Sequence, residues 1–428
     1  MALRPQATIT EGSLTVEIYG GYGEIGGNCV VVKDRGRKVV FDNGIRFQVL
    51  KRYYRGRIRP LGVAELRSVG AIPPREVFEG ADAVYISHLH LDHVGLLGAL
   101  PPGTKVYVPS LEVLEALESW YKASPAWLAE LPHRLGVELE ELKPYQEDGL
   151  GVTPIPVSHS AYPSFALAYR GHDRTLFYSG DLRLQGPLGP RLDTLENVAR
   201  VAGAGGFDVA LLEGTNVGDV ETPIDPEGFK GMLGRLLAEG RLAVVSIDPL
   251  DFEMFSALWN LALVSGRSIV IASHQLLDVL PYWLRELEGA PRVEVAVVEG
   301  LEKPPPLGVD LVSLRDILGS PESFILVQEP VGFLEAVRRL RLWDVALPQG
   351  TVVILTTPEP HESWLGAEEE ALASWMHRLG ATVYRVRISG HIHPHQLPKL
   401  AAALKPRRVI PVHTRHPKLL QALIRRAL

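Results

Sequence analysis

The sequence has 428 residues, 46% apolar and 22% charged, with a net charge of −6. That length suits two domains, each able to bury a core, and the acidic balance argues against a protein that coats nucleic acid by bulk charge, though not against a local basic groove. A single cysteine, Cys29, excludes an internal disulfide framework, and no apolar run marks a signal peptide or a membrane span, so a soluble cytoplasmic protein is expected.

Short β-type runs separated by glycine turns open the chain: Leu14 to Tyr19, Cys29 to Lys33 and Lys38 to Phe41. The glycine-rich link Gly20 to Asn28 has no helix after it, so it reads as a turn lining a cleft and not as a phosphate-cradling loop. Asp42-Asn43-Gly44 by itself is a turn. The apolar run Ala83 to Ile86 then delivers Ser87-His88-Leu89-His90-Leu91-Asp92-His93. Three imidazoles and a carboxylate packed this closely after a strand read as a metal site, because neutral imidazole and carboxylate suit zinc and similar divalent ions. Farther on, Lys105 to Val108 is expected as a strand and Leu111 to Tyr121 as a helix. His159 follows the β-type run Val152 to Val157, and Gly180-Asp181 follows the run Thr175 to Ser179. A carboxylate at such a strand end can bridge two ions about 3.5–4 Å apart.

Asp208 to Leu212 leads into Glu213-Gly214-Thr215-Asn216. From about Val220 the pattern alternates helices (Gly228 to Glu239, Phe252 to Val264) with strands (Leu242 to Ile247, Ser268 to Ala272, Val293 to Val298, Phe324 to Val327, Thr351 to Thr356). That alternation predicts an α/β unit with a parallel sheet, in which Lys303-Pro304-Pro305-Pro306 is a stiff loop. The closing segment carries Ser389-Gly390-His391-Ile392-His393-Pro394-His395, a helix, and Ile410-Pro411-Val412-His413. The basic stretches Lys51–Arg59, Arg338–Arg341 and Lys405–Arg408 read as solvated faces; the first, with tyrosines among its arginines, is the best placed to stack on bases.

His88-x-His90-x-Asp92-His93 resembles the signature of the metallo-β-lactamase superfamily. The Gly20–Asn28 stretch, the acidic residue plus Thr at 213–215, Ser389-Gly390-His391, Leu404-Lys405-Pro406 and Ile410 to His413 resemble the ribonuclease J group of its β-CASP nuclease branch. The resemblance implies a four-layer αβ/βα metallo-β-lactamase sandwich with an inserted α/β β-CASP domain: residues 1–215 and 374–428 for the first, 216–373 for the second. It implies two Zn2+ ions, with Mn2+ able to replace them. His88, His90, His159 and Asp181 would hold one, and Asp92, His93, Asp181 and His413 the other. Asp42 would orient the metal loop. Ser389, Gly390 and His391 would meet the substrate phosphate, and Asp92, Glu213 and His391 would act in catalysis, Glu213 orienting His391. His393 and His395 are extra and read as surface residues.

The implied activity is hydrolysis of single-stranded RNA, endonucleolytic with 5′-exonuclease action also open, and the resemblance admits a homodimer. A DNA-processing nuclease of the same branch and a catalytically weak nucleic-acid-binding homologue are the alternatives. Three departures bear on this reading. Ribonuclease J has a separate C-terminal domain, expected to be absent because this sequence ends 15 residues after His413. Pro249 to Glu253 and Ile271 to His274 stand where the family keeps segments associated with gripping RNA and its 5′ end. Glu253 would repel a terminal phosphate, which favours internal cleavage.

Overall fold

The computed structural model describes residues 4–55, 58–123, 136–219, 224–301, 303–328, 347–356 and 363–425. The chain divides into two compact units, Met1–Thr222 with Gly390–Leu428, and Pro223–Ser389. Arg338–Arg341 and part of the Lys51–Arg59 stretch lie outside the described residues. No helix among them is long and apolar enough to cross a membrane.

The strands of the first unit up to the insertion are β1 (Ala7–Glu11), β2 (Leu14–Gly20), β3 (Cys29–Asp34), β4 (Arg37–Phe41), β5 (Ala83–Tyr85), β6 (Lys105–Val108), β7 (Glu138–Glu141), β8 (Val152–Pro156), β9 (Phe165–Arg170), β10 (Thr175–Tyr178) and β11 (Val209–Glu213). The second unit contributes β12 (Ala243–Ser246), β13 (Ser268–Ile271), β14 (Val295–Val298), β15 (Asp310–Val312), β16 (Phe324–Gln328), β17 (Val352–Leu355) and β18 (Thr382–Arg385), and β19 (Arg408–Val412) returns to the first.

In the first unit, β1 to β7 form one sheet in chain order, and a second sheet runs β19-β11-β10-β9-β8. Their facing sides are apolar at every second residue, as a half-buried strand requires. Leu14, Val16 and Ile18 of β2, Val30 and Val32 of β3, and Val39 and Phe41 of β4 meet Phe165, Leu167 and Tyr169 of β9, Val209 and Leu211 of β11, and Val412 of β19. Leu167 is fully buried there, so its truncation to alanine is expected to cost about 2–5 kcal/mol. The other side of the second sheet is covered by the helices Thr194–Ala202, Leu397–Leu404 and Pro417–Arg425, through Val198, Leu400, Leu404 and Leu420. This is the αβ/βα sandwich expected. Pro154 and Pro156 fall on β8 at the edge of its sheet, where a missing N–H costs no ladder bond.

The second unit is a seven-stranded sheet in the order β15-β14-β13-β16-β12-β17-β18, parallel throughout. Its boundaries differ from those expected. Residues after 215 stay with the first unit because Asn216 donates to the carbonyls of His391 and Ile392. The return comes at 390 and not 374, because β18 pairs with β17 and belongs to the inserted sheet.

Candidate metal centre

The site residues converge because strands running the same way end at one edge. β4 and β5 are parallel, and Asp42 and the His88 loop follow them. β8 and β10 both run antiparallel to β9, so they share a direction, and β10, β11 and β19 are parallel. His159, Asp181, Glu213 and His413 therefore sit at or just beyond the ends of four strands of one sheet that point the same way. The return of the C-terminal segment sets the last of these, since Val412 of β19 pairs with Glu213 of β11.

Asp181 Oδ2 is the centre of the cluster. It lies 3.1 Å from His93 Nε2, 3.4 Å from His413 Nε2, 3.8 Å from both His88 Nε2 and His391 Nδ1, and 4.0 Å from His159 Nε2. The donor atoms of His88, His90 and His159 group together, as do those of His88, His93 and Asp181, and of Asp92, His93 and His413. All seven residues that the sequence nominates as ligands are thus brought together.

The imidazoles are aimed by bonds on their far nitrogens, the arrangement that fixes a ring's tautomer and leaves its other nitrogen a lone pair for a metal. His93 Nδ1 donates to Asp42 Oδ2 at 2.7 Å, and His159 Nδ1 to the Gly390 carbonyl at 2.7 Å. His88 Nδ1 lies 3.1 Å from Ser87 Oγ, and His413 Nδ1 2.7 Å from Thr215 Oγ1. His90 turns its Nδ1 inward, to 3.2 Å from His159 Nε2. Three inward atoms of the cluster are buried and have no hydrogen-bond partner among the described residues: His88 Nε2, His93 Nε2 and Asp181 Oδ1. Buried polar atoms are rarely left so. The donor set fits divalent metal.

Charges follow the same geometry. Burial, reinforced by repulsion from His93 and His159, pushes His88 well below its ordinary value, and burial with repulsion from His90 and His391 does the same to His159. Burial opposes charge on His93 too, but Asp181, Asp42 and Asp92 overcome it and hold that imidazole well above the ordinary range. Burial likewise opposes ionisation of Asp181 and Asp92; the histidines win, and both carboxyls are held well below the carboxylate range.

His391 is 15% exposed, whereas His88, His93, His159 and His413 are shut away. Its Nδ1 is 3.2 Å from Glu213 Oε1, which also accepts from the Ile392 and Leu182 amides. A Cβ at Gly390 would stand 2.5 Å from Ser160 Oγ and 3.2 Å from His159 Cε1, so a side chain there would crowd the His159 ring. The loop from Gly20 to Asn28 does line the site: a Cβ on Gly26, at φ +76°, would lie 2.6 Å from Asp92 Oδ2. Ser389 belongs to the second unit. His393 is half-buried and His395 exposed, with rings 5.9 Å apart. Arg407 and Arg408 pair with Asp208 and Glu11 on the surface, a solvated face as expected.

Sequence reasoning missed the supports. Tyr178 donates to Asp42 Oδ2 at 2.6 Å and accepts from Asn28. Ser87 donates to Asp42 through both its amide and its hydroxyl. Arg183, buried, donates to Ser158 Oγ and the His159 carbonyl. Thr215 joins Glu213 to two histidines. A tyrosine, serine or threonine in or beside a strand carries no such signal by itself.

A model of the beta-lactamase superfamily domain matches residues 61–237. Ribonuclease J of Mycolicibacterium smegmatis is 26% identical over 436 residues, covering 96% of this chain and 70% of that protein. The chain is thus similar to the beta-lactamase superfamily domain over residues 61–237 and to ribonuclease J over nearly its whole length. Ribonuclease J of Pyrococcus abyssi is 23% identical over 437 residues, covering 93% of this chain and 89% of that protein. A crystal structure of a protein of unknown function from Enterococcus faecalis shares the fold, with a TM-score of 0.72 at 21% identity over 96% of each chain. The similarity to a beta-lactamase superfamily domain agrees with the clustered imidazole and carboxylate atoms, which could hold divalent metal.

The segments at 249–253 and 271–274 form helix caps in the second unit. Asp251 accepts from the Met254 amide at the start of Phe252–Ser265, and Ser273 from that of Leu276 at the start of His274–Glu286. Glu253 is fully buried in the first of these helices.

Proposed function

We propose that this protein is a metal-dependent ribonuclease that hydrolyses phosphodiester bonds of single-stranded RNA. The observation that carries the reading is the convergence of aimed imidazole nitrogens on Asp181 Oδ2, beside a carboxylate-held His391, in a chain similar to ribonuclease J over nearly its whole length. His88, His90, His159 and Asp181 would hold one ion, and Asp92, His93, Asp181 and His413 a second, zinc or manganese. Such ions, when bound, bring the pKa of a water toward ~7 and offset charge that develops on phosphate.

The chain's own part begins at Glu213. Its Oε1 accepts a hydrogen bond from His391 Nδ1, so a proton given to a leaving oxygen, or shared with a phosphate oxygen, would come from Nε2 of the imidazolium form. Asp92, whose Oδ2 lies 3.2 Å from His413 Nε2, would take a proton from an attacking water. Asp42, Ser87 and Tyr178 hold the metal loop from behind.

RNA is preferred to DNA in this reading because the family's RNA-processing members keep a histidine where His413 stands. Internal cleavage is favoured because a terminal monophosphate needs donors for roughly two negative charges, and the segments at 249–253 and 271–274 offer no arginine or lysine. The test compares one RNA carrying a 5′ hydroxyl, monophosphate or triphosphate with its circular form and with matched DNA. Cleavage of the circle and indifference to the 5′ end are expected. An untouched circle with strong monophosphate dependence would overturn internal cleavage, and faster cutting of DNA would overturn RNA.

A further inference from the structure

We infer that Thr215 is a positioning residue shared by the two histidines of the C-terminal segment, carrying the anchorage of Glu213 to His413 as well as to His391. The inference rests on the proposed metal site.

Thr215 is buried, and its Oγ1 lies 2.9 Å from Glu213 Oε2, 2.7 Å from His413 Nδ1 and 3.1 Å from His391 Nδ1. A hydroxyl has one proton to give and two lone pairs to offer. An ionised carboxylate only accepts, and Glu213 Oε2 is already an acceptor for the Thr215 amide at 2.9 Å. The hydroxyl proton therefore goes to Glu213, and the oxygen faces the histidines as an acceptor. His413 must then carry its proton on Nδ1, and its Nε2 is left as a lone pair 3.2 Å from Asp92 Oδ2 and 3.4 Å from Asp181 Oδ2, where a metal ligand belongs.

The other rings have separate anchors: Asp42 for His93 and the Gly390 carbonyl for His159. His391 also bonds Glu213 directly. Among the described residues, Thr215 Oγ1 is the only side-chain acceptor for His413 Nδ1–H. Loss of the hydroxyl should therefore fall on His413 and the ion it would hold, and far less on His391.

Thr215→Val removes the hydroxyl at nearly constant size, and Thr215→Ser keeps it while removing the methyl group. Wild type and both variants are loaded with zinc, dialysed against metal-free buffer and analysed for metal, and 15N-histidine spectra at neutral pH report which ring nitrogen carries the proton. Second-ion affinity is expected to fall about 10–100-fold in Thr215→Val, the usual effect of losing an outer partner, so that this variant emerges with close to half the metal of wild type. Thr215→Ser should match wild type. The His413 Nδ1–H signal should persist in Thr215→Ser and disappear in Thr215→Val.

Equal metal retention in Thr215→Val and wild type, or equal losses in the two variants, would overturn the assignment. Should wild type itself hold less than one ion, the metal reading fails separately. The spectra then decide for Thr215: an unchanged His413 tautomer in Thr215→Val overturns its role, and a changed one supports it.

Discussion

Replacing Asp42 by asparagine isolates the charge that aims His93. Asp42 is fully buried at φ +62°, a backbone conformation that asparagine adopts more readily than alanine, so Asn is the cleaner probe. Its Oδ2 accepts from His93 Nδ1 at 2.7 Å, Tyr178 OH at 2.6 Å and Ser87 Oγ at 2.9 Å, and its Oδ1 from the Ser87 amide at 2.7 Å. An amide group has one oxygen for these two positions. With NH2 at the Oδ1 position, the Ser87 amide is buried against a donor, at a cost of about 1–3 kcal/mol. With NH2 at the Oδ2 position, Tyr178 and Ser87 can rotate their hydroxyl protons, but His93 must surrender Nδ1–H and carry its proton on Nε2, facing Asp181.

Either outcome weakens the site, and the second removes a ligand lone pair. Metal affinity of Asp42→Asn should fall about 10–100-fold, measured by competition with a chromophoric chelator. Stability of the metal-free protein should fall by about 1–3 kcal/mol in denaturant titration. The pH dependence has a defined sign. His93 is held above its ordinary value of 6.5, after burial is overcome by Asp181, Asp42 and Asp92. Its stabilisation is therefore complete below about pH 6.5 and lost as pH rises through the folded value. The stability gap between wild type and variant should be widest below that pH and narrow above it. Wild-type metal affinity in Asp42→Asn would refute the reasoning.

Other outcomes follow from the same geometry. Asp181→Ala should lose both ions by elemental analysis, because every inward histidine nitrogen measured against its Oδ2 lies within 4.0 Å; retention of one full ion would mean that the carboxylate serves a single metal. His391→Ala should abolish cleavage with metal content nearly intact, and loss of metal would make it a ligand instead. Metal loading at pH 7 should release about one proton per chain, read by calorimetry in buffers of different ionisation enthalpy, since His93 must give up a proton while His88 and His159 are already neutral. Release of none would contradict the charge assigned to His93.

The candidate ligands were legible because metal chemistry restricts them to few residue types, and because each follows an apolar run that reads as a strand. His88 to His93 are also contiguous, so spacing alone marks them. The supports were not legible, because Tyr178, Asn28 and Thr215 act through partners far away in sequence, such as Asp42 for Tyr178 across 136 positions. β1, half polar along Ala7–Glu11, has no continuous apolar run to mark it as a strand. The late boundary of the inserted unit has a similar cause. β18 is the outermost strand of its sheet, and Thr382, Tyr384 and Arg385 are exposed, so its pattern says little about which sheet it joins.

The most direct test of a metal-dependent ribonuclease is the initial rate of cleavage of one end-labelled single-stranded RNA by chelator-stripped protein to which zinc or manganese is returned in steps, with bound metal measured on the same samples. The account predicts no cleavage without metal and a rate that climbs until about two ions are bound per chain. Cleavage by the stripped protein at the loaded rate, or intact RNA at full metal occupancy, would contradict it.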